Sequence, residues 1–394
     1  MGRIILTINA GSSSVKFAPF ALDGGELEEL ARGQVEGLGA QAKFTAKRTS
    51  GAKTQFALDP GEGPADHRAA MKAILRWLGE EKLDDNVVAV GHRVVHGGRD
   101  FTKPARVDAA LLTTLRGLIP LAALHEPYNI LGIEAAIEAF PRTPQVACFD
   151  TAFHRTQPFV ADVYGLPRSY YDEGVRRYGF HGLSYEYIAR RLKKIAPEIA
   201  DGRVVVAHLG NGSSLCAIRD GRAAATTMGM TPLDGVPMGT RCGQIDPGAL
   251  FYLMKAKGMS PTEVSDLITY NSGLKGLSGI SQDMRELEAS DSRAAKEAID
   301  YFIYRIRREI GSLAAALDGL DAIVFTGGIG ENSQVTREGV LTGMEWLGVR
   351  LDKAANAANA QRISTADSKT AALVVKTNEE RMIAGHAVAI AGLA

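Results

Sequence analysis

The feature that most restricts this chain is a short apolar run that empties into a glycine- and serine-rich turn, and that does so three times. Ile4 to Ile8 is apolar and β-branched, as a buried strand requires. The turn Asn9-Ala10-Gly11-Ser12-Ser13-Ser14 follows, and Val15-Lys16-Phe17 alternates as a half-buried strand does. Two strands about a tight turn of small residues form a hairpin. Gly11 gives the turn access to positive φ, and the serines crowd hydroxyls and backbone N–H donors together. Such a turn can wrap a phosphate, with Lys16 as the near cation. An ordinary polar hairpin turn is the competing account of this stretch alone. Recurrence shifts the balance. Val204 to Leu209, Gly210-Asn211-Gly212-Ser213-Ser214 and Leu215 to Ile218 repeat the plan, and Ala322 to Phe325 leads into Thr326-Gly327-Gly328-Ile329-Gly330-Glu331-Asn332. A separation of roughly 200 residues between the first two, on the order of one domain each, points to a duplicated nucleotide-binding unit rather than a solenoid repeat.

The chain of 394 residues suffices for two or three domains with real cores. Its formal net charge of zero removes any general attraction to nucleic acid or to an anionic membrane. No apolar run nears the ~20 residues of a membrane span. Cys148, Cys216 and Cys242 lie far apart, without CxxC pairing, and read as reduced thiols of a cytoplasmic protein. The strand-like N-terminus reads as lacking a secretory leader.

Strands alternating with helices predict an α/β fold. Residues 21–66 read as irregular strands and loops with a turn at Pro60-Gly61. A helix is expected over 66–79 with Asp66 as N-cap, then a buried strand at 87–90, helices near 108–119 and 129–140, and a strand at 145–149. Asp150 marks the first domain boundary, because the sequence turns Pro-, Tyr- and Arg-rich over 153–178. A helix capped by Ser184 follows, then strands at 204–218 and 222–228, and a long Gly/Pro/Thr loop at 228–247. Helices are predicted over 247–257, 261–269, 291–317 and after Thr336, a strand over 372–375, and a terminal helix from about 378. The division expected is 1–150, completed by 382–394, and 151–381.

Common nucleotide motifs are absent: there is neither GxxxxGK[ST] nor a GxGxxG opening a helix. His92 and His96 look like a chelating pair, but four residues of extended chain separate them by ~13 Å. Polar residues instead stand singly at strand ends and turns. Arg93 and Asp150 each follow a buried strand, His181 sits between glycines, and Arg241 lies in a loop too rich in Gly and Pro for core packing. Each has a bland alternative: a surface salt bridge, a turn cap, a structural histidine. Glu379 could serve only the helix dipole, and Asp283 with Arg285 only a loop ion pair. Together the set fits phosphoryl transfer, which needs positioning and charge neutralisation more than covalent chemistry.

Ile8 to Lys16, Gly91 to Gly98, Phe149 to His154, His208 to Gly212 and Thr231 to Gly235 together resemble the acetate kinase family, in order and across essentially the whole chain. The resemblance implies two ribonuclease-H-like domains of the actin-like ATPase superfamily around a central cleft. It implies direct in-line transfer from ATP to acetate in a homodimer, with Mg2+, or Mn2+ as the alternative, and with neither nucleic acid nor membrane as partner. Carried over, it gives Asp150, His181 and Arg241 catalytic roles and Arg93 the substrate carboxylate. Val95, Leu124, Phe180 and Pro232 match the pocket for the methyl group, with His125 beside it. Lys16, the segment His208-Leu209-Gly210-Asn211-Gly212, Asp283-Met284-Arg285, and Gly328-Ile329-Gly330-Glu331-Asn332 match the ATP positions. Asn9 and Glu379 match the metal positions. Two residues depart from the pattern. Gln244 stands where many relatives are acidic, and Met284 replaces a common aromatic. Propionate kinase is the alternative within the class; a sugar kinase or a chaperone ATPase of the same fold lies outside it.

Overall fold

The structure, a computed structural model, describes residues 2–39, 41–58 and 65–393; the turn expected at Pro60-Gly61 lies outside them. The chain forms two compact units, Met1–Ala152 with Asn378–Ala394, and Phe153–Thr377.

The first unit is built on β1 (Arg3–Ala10), β2 (Ser14–Asp23), β3 (Glu26–Glu29), β4 (Ala31–Glu36), β5 (Lys43–Arg48), β6 (Lys53–Ala57), β7 (Val87–Val94), β8 (Ala105–Arg106) and β9 (Gln145–Phe149). Their order is β6-β5-β4-β2-β1-β7-β9-β8, with β3 on β2. The region expected to be irregular is therefore a run of antiparallel strands. Phe44 stacks on Phe56 across β5 and β6 at 4.7 Å and leans on Trp77 of α1 (His67–Glu80). Asp66 caps α1, accepting from Ala69 N at 2.8 Å. α2 (Ala109–Leu118) and α3 (Glu126–Ala139) follow.

The second unit has β10 (Val204–Leu209), β11 (Ser213–Arg219), β12 (Arg222–Thr226), β13 (Ala322–Thr326) and β14 (Ala371–Val374), in the order β12-β11-β10-β13-β14. Every residue of β10 and β13 is buried, as a strand covered on both faces must be. The helix Arg293–Ala316 lays Phe302, Ile306 and Ile310 into a core with Val205, Ala207 and Phe325.

Five strands follow one plan in both units. β4-β2-β1-β7-β9 runs antiparallel, antiparallel, parallel, parallel, and β12-β11-β10-β13-β14 repeats it. The recurrence read in the sequence is thus a recurrence of topology, and the mixed α/β class is as expected.

Local corrections follow from capping and backbone geometry. The helix Gly182–Ile195 is preceded by His181 in the left-handed region, and Ser184 lies inside it rather than capping it. A helix starts at Gly327, directly after β13, and the next begins at Gln334 under a Ser333 cap, so Thr336 is already helical. The stretch 153–178 carries short helical turns around buried Asp162, which takes salt bridges from Arg155 and Arg176. Helices at Gly273–Ser278 and Met284–Glu288 were not expected. The chain returns to the first unit at Asn378, earlier than 382, because Asn378 caps the terminal helix Glu379–Ile390. Glu379 therefore belongs to the first unit. That helix lies so close on β7 that a Cβ on Gly91 would stand 2.5 Å from Ile383.

Candidate functional site

In the first unit the candidate residues sit where the sheet's parallel strands end. β1 and β7 pair in register up to Ile8 and His92, so the next residues are Asn9 and Arg93. β7 and β9 pair up to Val94 and Phe149, and Asp150 N then donates to Val94 O at 2.9 Å. The ladders thus bring three polar side chains to one edge. Arg93 Nη2 donates to Asp150 Oδ2 at 2.6 Å, and its Nε lies 3.1 and 3.2 Å from the two oxygens. Its Nη1 reaches Asn9 Oδ1 at 3.4 Å. Glu379 joins from the terminal helix, 3.8 Å from Arg93 Nε. Lys16 lies opposite Asn9 across the hairpin. Burial works against the Arg93 charge, but Asp150 and Glu379 hold its pKa above the ordinary value. Glu379 is pushed up to about 7 by burial, which Asp150 and Glu380 reinforce and Arg93 and Lys16 oppose.

Asp150 takes the Nε–Nη2 edge of Arg93, which leaves the Nη1–Nη2 end of the guanidinium for a two-point grip on a carboxylate. His92 and His96 do not chelate: His92 Nε2 meets Gln145 Oε1 at 2.8 Å, while His96 Nδ1 accepts from Gly98 N at 2.9 Å. The hairpin turn closes through Gly11 N donating to Ser14 O at 2.8 Å, and Gly11 does not use positive φ. Val95, two residues on from Arg93, is buried. His125 precedes α3, and Leu124 beside it is 40% exposed.

In the second unit the turn Gly210–Gly212 is the centre. His181 and Arg241 both face it: a Cβ on Gly212 would lie 3.0 Å from His181 Nε2 and 3.9 Å from Arg241 Nη1. His181 takes a φ of 59°, a conformation that costs a non-glycine residue on the order of 1–3 kcal/mol. Its ring stacks on His208 at 4.4 Å, and His208 Nδ1 meets Ser184 Oγ at 2.9 Å. Ser184 therefore orients a site histidine, a role its reading as a cap concealed. Arg241 Nη1 donates to Pro232 O at 3.2 Å. Its loop is clamped by backbone: Ser272 N donates to Thr240 O and Leu274 N to Met238 O, both at 2.9 Å. Only glycine fits at 273, with φ of 60° and a Cβ position 2.7 Å from Arg241 O. Gln244 keeps the loop anchored as a neutral amide, with Oε1 accepting from Arg305 Nη2 at 2.8 Å. Phe180 is buried, and its carbonyl accepts from His154 Nε2 at 2.9 Å.

A cavity of about 710 Å³ opens beside the turn. Gly210, Asn211, Asp283, Met284, Arg285 and Gly328 line it, as do Ile329 and Asn332. Gln282, Glu288 and Ser333 line it as well and were missed. Their signal was slight; only Ser333, a residue type that caps helices, was readable. Asp283 is held down to about 2 by hydrogen bonds from the Arg285 side chain and backbone. Glu331 does not face outward: its Oε1 accepts from Gly327 N at 3.0 Å and Thr377 N at 3.1 Å. Gly327 needs its φ of 77°, since a Cβ there would stand 2.7 Å from Leu209 O.

Known proteins resemble the chain over its length. A model of the acetokinase family matches residues 4–385. The acetate kinase of Methylocella silvestris is 58% identical, over 99% of this chain and 98% of its own. That of Nitrobacter hamburgensis is 52% identical, over 98% and 96%. Among solved structures, the Porphyromonas gingivalis acetate kinase superposes with a TM-score of 0.90 at 38% identity, covering 99% of this chain and 100% of that one. A propionate kinase from Francisella tularensis gives 0.91 at 38%, covering 98% of each.

Proposed function

The chain belongs to the acetokinase family, and from that premise we propose that it transfers the terminal phosphoryl group of ATP to acetate, reversibly, giving acetyl phosphate and ADP. The observation that carries this reading is the Arg93–Asp150 pair with its Nη1 edge turned to Asn9. It presents a fixed cation to a small anionic acceptor. Acetate is ionised at neutral pH, with a carboxyl pKa near ~4, so no base is needed in this direction. Asp150 orients the guanidinium; the acceptor carboxylate meets its remaining edge.

In the second unit, a cation and an imidazole face the turn Gly210–Gly212. Arg241 and His181 are thus suited to charge that develops on a phosphoryl group in transfer. The 710 Å³ cavity takes the nucleotide, with buried Met284 as part of its floor. Asn9 and Glu379 supply hard oxygen donors, and a half-buried carboxyl pushed up to about 7 is one that a cation would relieve. They fit Mg2+, which when bound neutralises phosphate charge. Val95, Leu124, Phe180 and Pro232 are carried over as the family's positions for the substrate methyl group, and His125 as a further one.

The curated relatives at 58% and 52% identity are acetate kinases, so the propionate alternative is not favoured. One methylene in an apolar pocket discriminates by only ~1–3 kcal/mol, and slow turnover of propionate is expected. The homodimer reading is supported by the helix Pro247–Ala256, which buries no residue and leaves Phe251 and Tyr252 each 57% exposed. Sedimentation of the wild type against Phe251→Glu tests it. Cytoplasmic residence is inferred from three cysteines that lie far apart in the sequence, without CxxC pairing. The activity is tested by trapping acetyl phosphate as its hydroxamate from acetate and Mg-ATP. Hydroxamate formation is expected; peptide-stimulated ATP hydrolysis without it would favour a chaperone ATPase.

A further inference from the structure

The ladder between β1 and β7 stops at Ile8 and His92, one residue short of the two side chains that matter most, Asn9 and Arg93. Beyond that point the two strands exchange no further rungs. A side chain takes over. Asn129 on α3 is 3% exposed, its Oδ1 accepts from Val95 N at 2.9 Å, and its Nδ2 donates to Ala10 O at 2.7 Å. One amide thus joins the residue after Asn9 to the second residue after Arg93. It does so with the donor and acceptor that a peptide group would use.

The same helix is shaped for this approach. Gly132 faces Ala10, where a Cβ would lie 2.5 Å from the Ala10 methyl group. Glu126 Oε2, one turn away, accepts from His96 N at 3.3 Å. The bridge is also fully satisfied, whereas either backbone group left alone in this buried place would cost stability.

We propose that Asn129 is a positioning residue for phosphoryl transfer, a side-chain rung that extends the β1–β7 ladder and holds Asn9 and Arg93 in register. The proposal rests on the acetate kinase reading for its kinetic consequence but not for its structural one. Asn129 touches no reacting group, so its loss should be read in the acceptor rather than the nucleotide. A hydrocarbon of similar shape removes both bonds. An aspartate keeps the acceptor but sets a second oxygen against Ala10 O; protonated, it restores donor and acceptor together. Burial raises a carboxyl pKa by as much as 3–5 units, which brings that protonation into a workable range.

The experiment compares wild type, Asn129→Leu and Asn129→Asp. For Asn129→Leu we expect the acetate KM to rise at least tenfold, while the dissociation constant for ADP stays within twofold. The Val95 amide should exchange at least tenfold faster in that variant, with the Leu6 amide unchanged. For Asn129→Asp, the kcat/KM for acetate relative to wild type should climb as pH is lowered from 8 to 6. An unchanged acetate KM in Asn129→Leu, or a flat ratio in Asn129→Asp, overturns the proposal. Should Asn129→Leu not fold, the Asn129→Asp profile decides. A wild type that makes no acetyl phosphate sinks the activity and not the rung, which Val95 protection in Asn129→Asp at pH 8 and pH 6, corrected for intrinsic exchange rates and compared with wild type, still tests: lower protection at pH 8 than at pH 6 supports it, equal protection removes it.

Discussion

At the strand ends of the first unit, charged side chains hold one another: Arg93 is braced by Asp150, with Asn9 and Glu379 around it. At the corresponding ends of the second unit, the backbone does that work. Glycines at 273 and 327 let chain pass against chain, and Arg241 is steadied by carbonyls and amides on either side of it. The five-strand plan is shared, so on the function proposed above the difference lies in what each end binds. A small carboxylate offers one charge to be matched by one fixed cation. A nucleotide offers phosphates and a large surface, and needs space and N–H groups more than counter-charges.

The largest effect that could break this contrast comes from Arg93→Ala. Truncating one partner of a buried pair costs about 3–5 kcal/mol, so the melting temperature should fall and the acetate KM rise sharply. Arg93→Lys should not restore either, because an ammonium cannot hold Asp150 along two bonds. An unaltered acetate KM would defeat the assignment. Arg241→Ala should behave differently, with kcat lowered by about 10²–10³-fold and the KM for ATP little changed. Its fold should persist, since backbone bonds clamp the loop. A loss confined to KM would contradict the role given to Arg241.

A pair of glycine variants sharpens the comparison. Gly327→Ala forces a left-handed position and a clash with Leu209 O, so ATP affinity should weaken and stability drop by about 1–3 kcal/mol. Gly11→Ala meets nothing closer than 3.7 Å and needs no positive φ, so its stability change should stay within about 0.5 kcal/mol. Equal losses on thermal unfolding would erase the distinction.

A pH response also separates the two units. Burial pushes Glu126 from 4.5 up to about 8 and Glu379 to about 7. Folded protein then keeps protons that the unfolded chain has released, so first-unit stability falls as pH climbs from 4.5 towards 8. Buried His154 in the second unit is lowered from 6.5 to about 3, so its contribution is complete above 6.5 and is lost as pH falls from there towards 3. Between pH 6.5 and 8, hydrogen exchange corrected for intrinsic rates should show β1 and β7 weakening while β10 and β13 hold. Glu126→Gln should flatten much of the slope in the first unit.

Much of this was readable in residues alone. Apolar runs named β1, β7, β10 and β13, because burial on both faces leaves no polar alternation. Residues placed at the ends of those runs, Arg93 and Asp150 above all, were found for the same reason: a strand's end is visible in its pattern. The helix after His181 was expected but its cap was misread as Ser184, because a left-handed histidine in front of a helix has no signature in composition. The short helices Gly273–Ser278 and Met284–Glu288 are too brief to show a period.

The sequence by itself determined the repeated strand–turn plan, the α/β class and the inventory of polar groups at turns, since these depend on near neighbours along the chain. Only the tertiary structure decided what those groups do to each other. That Asp150 occupies the Nε–Nη2 edge of Arg93, that Ser184 serves His208, and that Asn129 reaches two strands from a third element are contacts across wide gaps in sequence. Local pattern carries no record of them, because a side chain's partner is chosen by packing.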